Sequence, residues 1–98
     1  MYGVKVRIRR ILEECPPDTF VECLFTDYDG QTHYFRDKLP VFCTEWEPKI
    51  PCGGVIRCRV TEEAEKWVMI DTMLPDDVES TMGEYKFKVS RSDLTDNA

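Results

Sequence analysis

Three short segments of the chain alternate strictly between apolar and basic residues. They read VKVRIR at positions 4–9, IRCRV at 56–60 and YKFKV at 85–89. Side chains of a β-strand point to opposite faces with a period of two, so each segment predicts a strand that buries one face and presents cations on the other. The alternation therefore favours a fold built mainly from β-strands.

The size and charge of the chain set further bounds. It has 98 residues, 42% of them hydrophobic and 33% charged, with a formal net charge of -6. A chain this short cannot supply two separate cores, so we expect one β domain over residues 1–92. Residues 93–98 should form a polar tail that frays, apart from Leu94, which could dock on the domain. The acidic balance disfavours nonspecific attachment to nucleic acid or to an anionic membrane.

The beginning of the chain leads straight into the first alternating segment, without the apolar stretch of roughly 7–15 residues that marks a signal peptide. No apolar run approaches the ~20 residues that span a bilayer. We therefore expect a cytoplasmic protein that does not enter the membrane. The cysteines form an odd set without a CxxC pair, which predicts reduced thiols and no cofactor. They are Cys15, Cys23, Cys43, Cys52 and Cys58.

Six strands are predicted, at about residues 4–12, 19–26, 31–36, 55–61, 66–72 and 84–90. Glu13, Glu14 and the prolines that follow should end the first strand, and Asp29-Gly30 predicts a tight hairpin turn. The proline-rich residues 37–52 predict an irregular loop. Residues 61–70 fit a hairpin, which we favour, or a short helix, since Glu, Ala and Lys are good helix formers.

Six short strands without a regular alternation of strands and helices predict an all-β fold. We expect a small antiparallel six-stranded barrel or barrel-like sandwich. The period-two pattern predicts which apolar side chains face its interior. They are Val4, Val6, Ile8, Val21, Cys23, Phe25, Phe35, Ile56, Cys58, Val60, Val68, Ile70, Tyr85, Phe87 and Val89.

No motif in the chain predicts catalysis or a metal site. The segment from Asp27 resembles a calcium loop only at its start, because Thr32 and Lys38 occupy the positions that need Gly and Glu. His33 is the single histidine, and no nucleophile signature accompanies it. The spacing of Cys43, Cys52 and Cys58 is atypical of zinc ligands, with or without Cys15 or His33. We expect a protein that is not an enzyme.

Seven of the 13 cations lie on the predicted outward positions of the three alternating strands. The sequence allows two interpretations of this basic strand face: charges that protect strand edges and keep the sheet in solution, or a docking surface. Protein is a better candidate partner than nucleic acid, because Tyr85 and Phe87 have inward parity and cannot stack on bases. The seven residues are Lys5, Arg7, Arg9, Arg57, Arg59, Lys86 and Lys88.

The irregular loop carries a second candidate surface. Phe42 and Trp46 lie among acidic residues there and could be interface anchors, or they could plug one end of the barrel. Together these features predict a small, acidic, non-catalytic module that binds a protein partner, by analogy with inhibitors and bacterial immunity proteins. The alternative is a nucleic-acid-binding barrel that uses the basic strand face.

Overall fold

The computed structural model describes residues 1–15 and 18–96. It contains seven strands, one short helix and a turn of 3-10 helix at Arg91–Asp93. The strands are β1 (Tyr2–Cys15), β2 (Asp18–Thr26), β3 (Thr32–Lys38), β4 (Cys52–Glu63), β5 (Trp67–Asp71), β6 (Lys86–Ser90) and β7 (Leu94–Thr95), and helix α1 spans Leu39–Phe42.

The strands form one antiparallel sheet in the order β3-β2-β1-β4-β5-β6, with β7 on β1. β4 joins the two parts of the sheet, because its first half pairs with β1 and its second half pairs with β5. The sheet curls into a six-stranded half-barrel. The predicted all-β, barrel-like fold is confirmed. Within the described residues no helix is long and apolar enough to cross a membrane.

The core lies on the concave side of the sheet and follows the predicted parity. All predicted inward residues are buried except Val60 and Tyr85, which are partly exposed. Phe42 and Val78 complete the core from outside the strands. Aromatic rings fill one end of it, where the ring of Phe87 lies 5.3 Å from that of Phe25.

β1 is longer than predicted. It continues through Glu13 and Glu14 to Cys15, because two β-bulges keep it paired with β2. The bulges lie between Ile8 and Arg10 and between Ile11 and Glu13, and each inserts a residue without ending the ladder. The predicted break at Pro16 and Pro17 lies outside the described residues.

Of the other predicted elements, one is confirmed and two are corrected by the structure. β4 and β5 form the hairpin we favoured over residues 61–70, so the alternative helix is wrong. The only α-helix in the described residues is α1, inside the stretch predicted as irregular, where Pro40 occupies the first helical turn and needs no N–H donor. The tail, predicted to fray except at Leu94, pairs with β1 at Thr95 as well as at Leu94, while residues 97–98 lie outside the described residues.

The open side of the half-barrel, between β3 and β6, is partly covered by the connection over residues 72–85. The backbone N–H of Thr81 donates to the carbonyl of Tyr34 on β3, 2.8 Å away. The N–H of Tyr28 donates to the carbonyl of Lys88 on β6, also at 2.8 Å. Val78 turns inward between these contacts. The two outer strands are thus held near one another without a continuous ladder.

Candidate interaction surfaces

The structure groups five of the seven predicted cations of the basic strand face. β1 and β4 are neighbours, so Lys5, Arg7, Arg9, Arg57 and Arg59 share the outer face of the sheet. Lys86 and Lys88 lie apart from them, because β5 separates β6 from β4. The predicted face is therefore divided by a strand that carries no predicted cation.

Carboxylates neutralise much of this face. Arg57 donates two hydrogen bonds to Asp76, at 2.9 and 2.6 Å. Asp71 lies directly opposite Arg59 on β4 and Lys86 on β6, and its carboxylate is 3.9 Å from the guanidinium of Arg59. β4 is an internal strand, so these pairs favour the interpretation in which the cations keep the sheet in solution and do not concern its edges.

The remaining cations of the face differ in their surroundings. The ammonium of Lys88 lies 4.6 Å from the centre of the Trp67 ring and 4.0 Å from Asp29. Lys5 donates to the carbonyl of Ser92 at 3.3 Å. Lys5, Arg7 and Lys86 have no ion pair within residues 1–15 and 18–96, so four of the seven cations are paired with a carboxylate and three are not.

A buried carboxylate surrounded by three arginines was not predicted. The side chain of Glu22 on β2 is only 4% exposed, and it lies 3.1 Å from Arg10, 3.3 Å from Arg9 and 3.4 Å from Arg36. The hydrogen bond from Arg10 holds the pKa of Glu22 below its ordinary value, although burial opposes that shift. The first bulge of β1 brings two consecutive arginines to one carboxylate, which strand parity alone cannot reveal.

Phe42 and Trp46, predicted together as one candidate surface, differ in their exposure to solvent. Phe42 ends helix α1 and is 2% exposed, so it plugs the core. Trp46 is 92% exposed, on the loop of residues 43–51 that we call the Trp46 loop. Glu45 and Glu47 beside it are exposed and form no ion pair with another described residue. The loop therefore presents one large aromatic side chain between two free carboxylates.

The Trp46 loop starts from a tightly fixed point. The N–H of Cys43 donates to the carbonyl of Leu39, which closes α1. Helix α1 packs against β4 at Gly54, where a Cβ atom would lie 2.8 Å from the carbonyl oxygen of Phe42 and 2.9 Å from Ile8. Such distances are too short for any side chain, so only glycine permits this close approach.

His33, the single histidine, is buried and hydrogen-bonded. Its Nε2 lies 2.7 Å from the carboxylate of Asp27, and its ring packs against Phe25 and Phe87. Burial raises the pKa of Asp27, but hydrogen bonds from His33 and from the N–H groups of Gln31 and Asp29 outweigh it, so the pKa is lowered. The pair ties the predicted Asp29-Gly30 hairpin turn to the core.

The cysteines whose side chains are described lie in apolar or half-buried positions. Burial raises the pKa of the Cys58 thiol to about 11 and raises that of Cys23 further. Cys43 and Cys52 are half-buried and free. Across the described part of the chain, no three His, Cys, Asp or Glu residues are grouped as metal ligands.

Comparison of the chain with protein-family models, with curated proteins and with solved structures found no match. The functional argument therefore depends on the surfaces themselves.

Proposed function

We propose that this chain is a non-catalytic, cytoplasmic interaction module that docks on a basic protein through the Trp46 loop, in the manner of an inhibitor or immunity protein. The observation that carries the proposal is the exposure of Trp46 at 92%. Tryptophan is usually well buried. When it is the centre of an interface, it is among the residues that contribute most to binding.

The fixed base of the Trp46 loop supports this role. Phe42 anchors the start of the loop in the core, and Gly54 lets α1 lie close against the sheet. A binding side chain on a loop held by a rigid scaffold loses less conformational freedom when a partner binds. The anchored start of the loop reduces this entropic cost, although residues 44–51 make no hydrogen bond to another described residue.

Charge supports a basic partner. Glu45 and Glu47 flank the tryptophan and form no ion pair within the described residues, and the whole chain carries a net charge of -6. Complementary potentials speed the encounter of two proteins and select against partners of like charge. We infer a target with an apolar pocket rimmed by Lys or Arg.

The absence of catalysis is part of the proposal. His33 is held between Asp27 and two phenylalanine rings. The raised pKa of Cys58, about 11, keeps its thiol protonated near neutral pH, where a nucleophile needs the thiolate. The nucleic-acid alternative has less support, because Arg9, Arg57, Arg59 and Lys88 already have carboxylate neighbours.

The test is affinity capture from the native cell with three versions of the chain: wild type, Trp46→Ala and Met82→Ala. Met82 is the matched control, because it is another highly exposed apolar side chain on a different loop. We expect wild type and Met82→Ala to retain the same protein, and Trp46→Ala to bind it at least about 30-fold more weakly, about 2 kcal/mol.

Equal retention by all three versions would contradict the role of Trp46. Recovery of nucleic acid instead, with binding that falls steeply as salt rises and that Arg7→Glu with Arg57→Glu abolishes, would favour the alternative.

A further inference from the structure

We propose that two copies of this chain associate through β1, whose strands pair antiparallel across a two-fold axis at Ile11. The pairing surface is residues 9–14 on the side of β1 that faces β4, which we call the β1 edge. This proposal is independent of the Trp46 loop.

The β1 edge has no strand beside it. β4 pairs with β1 from Tyr2 to Ile8, where Ile8 lies opposite Cys52, the first residue of β4. From Arg10 to Cys15, β1 pairs with β2 alone. The described residues show no other backbone hydrogen bond to this segment. No strand of the same chain therefore covers this side of residues 9–14, and its backbone groups between the bulges are open to a further strand.

The middle of the β1 edge is apolar and exposed. Ile11 is 43% exposed and Leu12 is 36% exposed. The β1 edge carries charges and two bulges, which protect strand edges in natural proteins, but no segment covers Ile11 and Leu12. Adjacent apolar residues on an open edge invite pairing with another chain. The open, apolar edge favours an occupant that adds a strand beside β1.

The charges flanking these residues identify the occupant as a second copy. At one end, Arg9 and Arg10 share the single carboxylate of Glu22 with Arg36, which leaves an excess of positive charge. At the other end, Glu13 and Glu14 are exposed and have no cation partner among the described residues. The edge thus has a cationic end, an apolar centre and an anionic end, an order that is complementary to itself when two copies run antiparallel.

The faces of the strand agree with this arrangement. Arg9 contacts Glu22, and Glu13 lies opposite Phe20, which shares the face of Glu22 two residues along β2. Arg9 and Glu13 therefore lie on the same face of the sheet. An axis at Ile11 places Arg9 of each copy opposite Glu13 of the other, so the ion pair forms twice.

The edge is short, so we expect a weak dimer rather than an obligate one. Sedimentation equilibrium of the wild-type protein over a wide concentration range should show reversible growth from the 11.5 kDa of one chain toward twice that mass. The charge-reversed variants Arg9→Glu and Glu13→Arg each bring like charges together at both contacts. Each should associate at least tenfold more weakly than wild type.

An equimolar mixture of the two variants is the decisive sample. Arg9→Glu of one copy faces Glu13→Arg of the other, and the native Glu13 and Arg9 face each other at the second contact, so both ion pairs are restored. We expect the mixture to recover association that neither variant shows alone. Lys66→Glu and Glu65→Arg, exposed changes of the same kind in the β4–β5 turn, should associate like wild type.

A second variant covers the case in which a charge reversal disturbs folding. Ile11→Lys places two cations at the axis and leaves the contacts of Glu22 intact, so it should also remain monomeric with an unchanged far-ultraviolet circular dichroism spectrum. The proposal is overturned if wild type stays monomeric at every concentration. It is equally overturned if the edge variants associate like wild type, or if folded reversal variants do not recover association when mixed.

Discussion

The turn between β2 and β3 and the Trp46 loop, which leads from α1 into β4, are built in opposite ways. In the turn, residues 27–31, Asp27 accepts hydrogen bonds from Asp29, Gln31 and His33. In the Trp46 loop, residues 44–51 make no hydrogen bond to another described residue, and Trp46 points outward. The polar groups of the turn form hydrogen bonds that stabilise the turn. The side chains of the loop form none with the described residues and remain available to contact a partner.

Both connections nevertheless rest on a buried phenylalanine. Phe87 packs beneath the turn, with its ring 4.8 Å from that of His33, and Phe42 supports the start of the loop. The difference therefore lies above the core, in how the exposed residues are used. Stability should depend strongly on the turn and the two phenylalanines, and very little on the tip of the loop.

The largest expected effect on stability comes from removing one of the two buried phenylalanine rings. Phe87→Ala and Phe42→Ala each remove a side chain that is almost fully buried, which should lower the free energy of unfolding by about 3–5 kcal/mol. Urea denaturation followed by circular dichroism measures it. Hydrogen exchange sharpens the comparison, because Phe87→Ala should expose the amides of the turn, whereas Phe42→Ala should expose those of α1.

A smaller effect is expected from Asp27→Ala. The change leaves His33 buried without its carboxylate and removes the acceptor for two backbone N–H groups, so we expect a loss of about 2 kcal/mol at neutral pH. Urea denaturation of the variant beside wild type gives this difference directly. A loss as small as that of an ordinary surface change would show that the turn is not held by Asp27.

The difference in free energy of unfolding between wild type and Asp27→Ala should depend on pH, because the pKa of Asp27 is lowered in the folded chain. The unfolded chain binds the proton more readily than the folded chain, so the carboxylate stabilises the fold above its ordinary pKa of 3.8 and loses that contribution as pH falls through the lower folded value. The gap between wild type and Asp27→Ala should therefore narrow below about pH 4. A gap that stays constant down to acid pH would contradict the assignment.

Strand parity predicts the core but not the ion pairs. The alternation in residues 4–9, 56–60 and 85–89 identifies which side chains face inward, because that depends only on the period of a strand. It misses Phe42 and Val78, which lie outside the strands. Whether Arg57 faces another cation or Asp76 depends on how distant parts of the chain are placed, and this information is not local.

The bulges of β1 limit prediction in another way. Each bulge shifts the strand by one residue, so the alternation that holds from Val4 to Ile8 cannot be continued to Arg10. The two arginines of β1 beside Glu22 result from this shift, whereas the edge at Ile11 is open because β4 begins at Cys52, opposite Ile8. The sequence therefore predicts the half of β1 that pairs with β4 better than the half that leaves it.

The smallest expected effect on stability is that of Trp46→Ala. A side chain that is 92% exposed has little burial to lose, so the free energy of unfolding should change by no more than about 0.5 kcal/mol, although the same substitution in a core would cost about 3–5 kcal/mol. Urea denaturation followed by far-ultraviolet circular dichroism gives the comparison without relying on tryptophan emission. A loss above about 1 kcal/mol would mean that Trp46 packs on the sheet and serves the fold. An unchanged stability would leave binding as the reason for an exposed tryptophan between two free carboxylates, because the fold gains nothing from it.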